Sequence, residues 1–493
     1  ALDEDDHTYL IRKRGISGAD SLIHATSQPR RWTVRWFAPL EKTELSVGVS
    51  VDGRVAFADR KLPENASGAT LAKEEAQALA RGFLVTHFQI DVSDGSRYKL
   101  LESTEEKLER RLDHDIVWER TDVKVEDGKF WIRVGIQGDE IGAYDLGFTA
   151  PEPFLRQLNE QSLTDGIASG LRILVLLATG VLGGTVFLRL YREDAIVWRA
   201  GYAFGIVMAL CIVTRYLNGL PIVYAGYGTE EALGTFIASQ GFGLLVQVTV
   251  VSLLAVLMMG LANALCRDQL PEGAVPGRWL SGLFTGDVRG RLLLDSVIAG
   301  VGLRLLWSGF SALSAYVEQA WFPQFSKATG FSPSDVDTYF PAAGGVTGLA
   351  FSVLAVLAFF CGILIWKRAL KQWARVGLAA VLFFGLLQIG QAEELSHAAV
   401  SMVLRVVQLL AVLWLARMVV GTNLLAYFFA MVLGPLLESG IRLMSTELMF
   451  YDVNGALLLL LAVSPIVYGI LTLGSRPDPS RVTPSPNRSG IDT

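Results

Sequence analysis

From Gly170 to Leu473 one long apolar run follows another, separated only by short polar breaks. A backbone placed in hydrocarbon must satisfy its own N–H and C=O groups, so successive runs of this length can cross only as helices packed in a bundle. They fall near 168–188, 196–217, 233–264, 292–314, 342–366, 376–392, 398–420, 422–441 and 454–473, which makes about nine spans of roughly 20 residues. The third is long enough to tilt or to reach beyond the bilayer. Overall hydropathy understates this, because the chain is uneven: the mean of +0.40 and the 51% hydrophobic content include residues 1–162, which are charged and mixed in pattern. The expected architecture is a soluble α+β domain at 1–162, then a polytopic all-α membrane bundle of about nine spans at 163–474. The last stretch, 475–493, is rich in Pro and Ser and has no core to bury, so it is expected to be disordered.

Within the front part, RWTVRWF, ELSVGVS and RVAFADR show the alternation and β-branched content of strands, separated by turn residues such as Asp52-Gly53. LAKEEAQALARGFL, residues 71–84, has apolar residues at helical spacing, with Thr70 as the expected N-cap and Glu74 in the first turn. RYKLLES, HDIVWER, KFWIRVGIQ and EIGAYDLGF return to the strand pattern, which predicts a mostly antiparallel sheet.

Charge excludes some functions and orients the chain. A net charge of -5 leaves no basic footprint for nucleic acid, and no GxxxxGK loop is present for a nucleotide. The three cysteines, Cys211, Cys266 and Cys361, lie in or beside apolar runs and give neither a disulfide framework nor a zinc spacing. No cofactor or metal is expected, and the bilayer itself is the first partner. Basic residues follow alternate spans: Arg189 and Arg192, then Arg267, Arg278, Arg289 and Arg291, then Lys367, Arg368, Lys371 and Arg375, then Arg417, then Arg476. The positive-inside rule places those loops and the tail in the cytoplasm and the front domain outside it. The chain starts at Ala1 with no charged n-region or apolar h-region, and the expectation is that more chain lies upstream.

Several stretches resemble a known family. RWTVRWFAPLEK, the helix after LPENASGAT, RRLDHDIVWER, WIRVGIQGDEIGAY, APEPF and, further on, RYLNGLPIVYAGY and ALCRDQLP are similar to the front domain and the first spans of large bacterial members of the CPBP family. That family holds CAAX proteases and bacteriocin-processing proteins, and the resemblance implies a glutamate-type intramembrane protease fold in a bacterial inner membrane. It also implies motifs of the form EExxxR, FxxxH and HxxxN or HxxxD, in that order. The matching positions here carry other residues. Gln388 stands where the FxxxH frame from Phe384 needs a histidine, and Tyr427 and Met431 occupy the HxxxN frame. The fifth span, FSVLAVLAFFCGILIW, has no Asp, Glu, His, Lys or Arg at all. The resemblance therefore implies a degenerate protease that binds or scaffolds a membrane-protein or envelope partner.

Two alternatives remain at this point. One is an active intramembrane endopeptidase whose groups have moved to GQAEELSHAAV, where Glu393, Glu394 and His397 are at helical spacing to meet. That pair falls after the FxxxH frame, and Ala398 stands where the arginine belongs. The other is a transporter or channel with Arg215, Arg405 and Glu438 along a polar path. Glu438 and Arg442 are one turn apart and predict an ion pair. Asp295 and Arg304 enter their span from one end, to snorkel or pair, and Arg405, deep in the seventh, calls for a carboxylate or backbone partner. Arg110, Arg111, Asp113 and His114 read as solvated loop charge.

Overall fold

The computed structural model describes residues 4–26, 31–50, 52–159, 163–270, 275–323, 336–373, 375–379, 395–421, 423–446 and 448–474. Glu393, Glu394, Gln388, most of the sixth predicted span and the tail 475–493 lie outside the described residues.

Seven strands form one antiparallel sheet: β1 (Arg31–Phe37), β2 (Glu44–Ser50), β3 (Val55–Lys61), β4 (Tyr98–Lys107), β5 (Leu112–Val125), β6 (Gly128–Gln137) and β7 (Glu140–Thr149). Their order is β1-β2-β3-β7-β6-β5-β4. Alternation decides which face is covered. On β6 Phe130, Ile132, Val134 and Ile136 are all buried, while Arg133 between them turns away to an ion pair with Asp115 at 2.7 Å. Helix α2 (Lys73–Phe88) lays Ala76, Ala80 and Leu84, one turn apart, against Trp118, Ile132, Val134 and Tyr144 on that face. Truncating Leu84 to Ala in such a site costs about 2–5 kcal/mol.

The helix begins later than its sequence suggests. Its N-cap is Ala72 and not Thr70, and the Glu75 side chain reaches back to accept from the Ala72 N–H at 3.1 Å. A second helix on the same face, α1 (Glu4–Thr26), has no counterpart in the sequence reading. It bends at Gly15 (φ 70°, ψ 170°), which breaks the periodic pattern, and it buries Tyr9, Leu10 and Ile23 against Val125, Phe130 and Phe148.

After α3 (Glu152–Asn159) come α4 (Leu163–Arg192), α5 (Trp198–Asn218), the short α6 (Leu220–Ala225), α7 (Leu233–Gln269), α8 (Pro276–Thr285), α9 (Gly290–Trp321), α10 (Pro341–Leu370), α11 (Leu395–Leu415), α12 (Leu424–Met444) and α13 (Met449–Leu471). Eight helices among the described residues are long and apolar enough to cross a membrane. This is a multi-pass membrane protein carrying an α+β domain. The 37-residue α7 is about 55 Å long, well beyond the roughly 30 Å of a hydrocarbon core.

Small residues set the helix crossings, because apolar side chains gain little by leaving lipid for each other. Gly201 and Gly205 on α5 abut the α7 backbone, where an added Cβ would lie 2.8 Å from the Val256 carbonyl and 3.2 Å from that of Ser252. Buried asparagines fasten helix ends: the Asn218 and Asn454 side chains accept from the backbone N–H of Phe340 and Ala342 at 2.8 and 3.0 Å, and Asn263 accepts from Gly277 at 2.8 Å.

Edge strand β1 joins sheet to bundle. Arg35 donates to both carboxylate oxygens of Glu44 at 2.6 and 2.7 Å, and its remaining nitrogen donates to the carbonyls of Tyr227 at 2.7 Å and Ala225 at 3.2 Å. The Leu40 N–H donates to the Thr229 carbonyl at 3.1 Å. Phe37 packs on the buried Tyr227, and Trp32 lies parallel to Tyr451 in the first turn of α13.

Candidate functional site

A ladder of polar groups runs along α9 where α11 and α12 pack against it. On α9 Arg304, Trp307, Ser311 and Glu318 share a face, being separated by three, four and seven residues. On α11 Ser401, Arg405 and Gln408 do the same. The two helices bring these faces together. Ser401 donates to Glu318 at 3.2 Å, and Gln408, fully buried, donates to the Trp307 carbonyl at 3.0 Å and to Ser311 at 3.1 Å. Arg405 donates to the Gln408 side-chain oxygen at 2.7 Å and places its guanidinium 5.9 Å from the Trp307 ring centre. Further along α9, Arg304 is ion-paired with Glu438 of α12. Along α9 the ladder spans about 21 Å, two thirds of a hydrocarbon core.

These pairings revise the sequence reading. Glu438 pairs with Arg304 across two helices, where a pair with Arg442 on its own helix was expected. The reason is a glycine: Arg304 crosses α12 over Gly434, where any Cβ would collide with the guanidinium. Arg405 takes an amide oxygen and an aromatic face, not a carboxylate or a backbone carbonyl. Asp295 lies 3.9 Å from Arg291, both well exposed at the start of α9. Arg215 points its guanidinium over Phe351 at 5.9 Å, on α5 and away from the ladder. The expected polar path through Arg215, Arg405 and Glu438 is therefore not drawn together at one place.

His397 sits one turn before Ser401 on α11, with its ring against Phe322 at 5.1 Å. On α12, the Tyr427 hydroxyl donates to the Gly421 carbonyl at 3.2 Å and its ring meets Phe360 edge-on. Met431 is 41% exposed on the outside of the bundle. Asn423, four residues before Tyr427, is the α12 N-cap: its side chain accepts from the Ala426 N–H and donates to Ser296 at 2.9 Å. Among the described residues no three His, Cys, Asp or Glu side chains are grouped to hold a metal ion.

In the front domain Arg110 is exposed as expected, but two of the RRLDHD charges are not solvated. Arg111 and His114 are 5% and 2% exposed. Arg111 pairs with Asp113 at 2.9 Å and donates to the carbonyls of Pro63 and Ala66, and the Asp113 carboxylate also accepts from the Gly138 N–H. His114 Nε2 is 3.1 Å from the Leu71 carbonyl. The cluster ties the segment before α2 to the sheet, which is a structural use and not a catalytic one.

Sequence reasoning passed over Glu318, Ser311, Ser401 and Gln408. The signal was available in the spacing, since polar residues recurring every three, four or seven positions in an otherwise apolar helix mark one face. No family model, curated protein or solved structure matches the chain.

Proposed function

We propose that the chain is a CPBP-like integral membrane protein without the family's proteolytic chemistry, acting as a membrane-held platform that binds or scaffolds a membrane-protein or envelope partner. Its setting on this reading is a bacterial inner membrane, with the α+β domain outside the cytoplasm and the tail inside. The observation that carries the reading is the pairing of the polar side chains along α9, α11 and α12 with one another. An intramembrane peptidase needs a carboxylate or histidine aimed at water and substrate. Here Arg304 engages Glu438 and Glu318 engages Ser401 across helices, while Arg405 engages Gln408 on its own helix, which in turn donates to α9. The residues at the histidine frame support the same view, one hydroxyl bonded to a carbonyl and one thioether facing outward.

The test uses the purified full chain in lipid nanodiscs with membrane-embedded fluorogenic peptides. The expected result is no cleavage above the empty-disc background, and no change in expression or insertion for Glu393→Gln, Glu394→Gln or His397→Asn. Cleavage by the parent that disappears in Glu394→Gln, with the fold intact, would establish the active-protease alternative instead.

A further inference from the structure

The covered face of the sheet runs out from beneath its helices before the sheet ends. Tyr144 on β7, 1% exposed under α2, faces Ala58 on β3; Ala58 faces Val47 on β2; Val47 faces Val34 on β1. Directly paired residues share a face, so Val34 and its alternate neighbours Trp32 and Trp36 belong to the same side as the core. Yet these three are 44%, 46% and 54% exposed. The opposite side of β1 carries Arg31, Thr33 and Arg35, of which Arg31 and Arg35 are both drawn into ion pairs. A water-facing edge strand ordinarily carries charge or proline, which deters pairing with other strands; β1 has its two arginines on the other side and presents two tryptophans and a valine on this one.

Position says what faces them. Trp32 lies against Tyr451, the third residue of a spanning helix, and Phe37 lies against Tyr227, just beyond the α5–α6 end. β1 therefore rests at the level where spans end. Around that same end of the bundle Tyr339, Phe340 and Met449 are 54%, 65% and 82% exposed. Such a ring of outward aromatic and apolar groups at span ends is the signature of the membrane interface, where Trp and Tyr rings place an apolar body toward the chains and a polar edge toward headgroups.

We propose that the Trp32–Val34–Trp36 face of β1 is seated in the interfacial layer of the bilayer beside the bundle, making the α+β domain a lipid-contacting element and not one held clear of the membrane. The exposed stripe is continuous with the lipid-facing belt of the span ends, which is why the occupant is lipid and not a second copy of the chain.

The full-length protein, with Cys211→Ala and with Cys266 and Cys361 left buried, is labelled with a nitroxide at Val34→Cys and reconstituted in phosphatidylcholine nanodiscs. Collision with oxygen, which concentrates in lipid, is compared with collision with a water-soluble nickel chelate. Glu105→Cys on the far edge strand is the water-facing reference. The oxygen-to-nickel ratio at position 34 is expected to exceed that at 105 by about threefold or more, and to fall toward it when Trp36→Ser is added without a change in melting temperature. Equal ratios at the two positions would overturn the proposal, and so would shielding of position 34 from both reagents, which would mean that protein covers the stripe.

Discussion

Arg35 divides its guanidinium between Glu44 and the carbonyls of Ala225 and Tyr227, so one side chain closes an ion pair inside the sheet and clasps the sheet to the bundle. The pair is well shielded, with Arg35 and Glu44 side chains 18% and 7% exposed. Removing one charge of such a pair leaves the other shielded with only weaker partners, the Ala225 and Tyr227 carbonyls for Arg35 and the more distant Lys61 for Glu44, so the loss falls short of the roughly 3–5 kcal/mol of a wholly uncompensated buried charge. The hydrogen bonds from Arg35 hold the Glu44 carboxyl below the ordinary glutamate range. A group whose pKa is lower in the folded state than in the unfolded one stabilises above the unfolded value, about 4.3 for Glu, and that contribution is lost as pH falls through the lowered folded value. Glu44→Gln should accordingly melt well below the parent at pH 7, and the gap between them should close as pH falls below about 4. A gap of constant size across that range, measured by thermal unfolding of the full chain in nanodiscs, would show that the carboxylate charge is not what holds the clasp. Arg111 and His114 work in the same manner at shorter range: a motif that looks like loose surface charge is buried because a loop without a core of its own needs anchors.

At the scale of elements, legibility followed periodicity. All seven strands could be read from strand-like sequence, β4 through RYKLLES among them, and α2 from its alanine and leucine stripe, which buries one face only. α1 could not, since Gly15 interrupts its register and charged residues fill its exposed side. Spans were legible by length, whereas the partners of Arg304, Arg405 and Glu438 were not: one sequence carries the helix pattern but not which faces meet. Close crossings decide that. Gly201 and Gly205 stand four apart on α5 and let its backbone approach the Val256 and Ser252 carbonyls of α7. Gly205→Val should push the helices apart and lower stability by about 1–3 kcal/mol, as overpacking does elsewhere. Gly180 on α4 has open space where a Cβ would go, so Gly180→Val is the matched control for the helix-propensity change. Equal losses in the two variants, read as melting temperature in the same lipid, would assign the effect to propensity and not to the crossing.

For the molecule as a whole, the sheet and the basic loops occupy opposite ends of the bundle. α10 starts beside Asn218 and Tyr339, near the α6 segment that β1 grips, and its 30 residues carry it about 45 Å to the other end. There Lys367 donates to the Gln269 carbonyl at 2.9 Å and Arg368 pairs with Asp268 at 2.9 Å, which gathers the basic ends of α7 and α10 in one place. Translocating such clusters is disfavoured, so the end that holds Arg267, Lys367, Arg368 and Lys371 is expected to stay in the cytoplasm and the sheet to face the other side. The proposed platform requires that orientation, because a partner in the envelope can be met only by a domain outside the cytoplasm. A cysteine introduced at Ser67, in the segment that Arg111 anchors, should react in intact cells with a membrane-impermeant maleimide, and one at Ser489 should react only after the membrane is opened. Labelling in the reverse pattern would place the sheet in the cytoplasm, and with it the lipid-facing edge of β1 on the inner leaflet and the search for a partner on the cytoplasmic side.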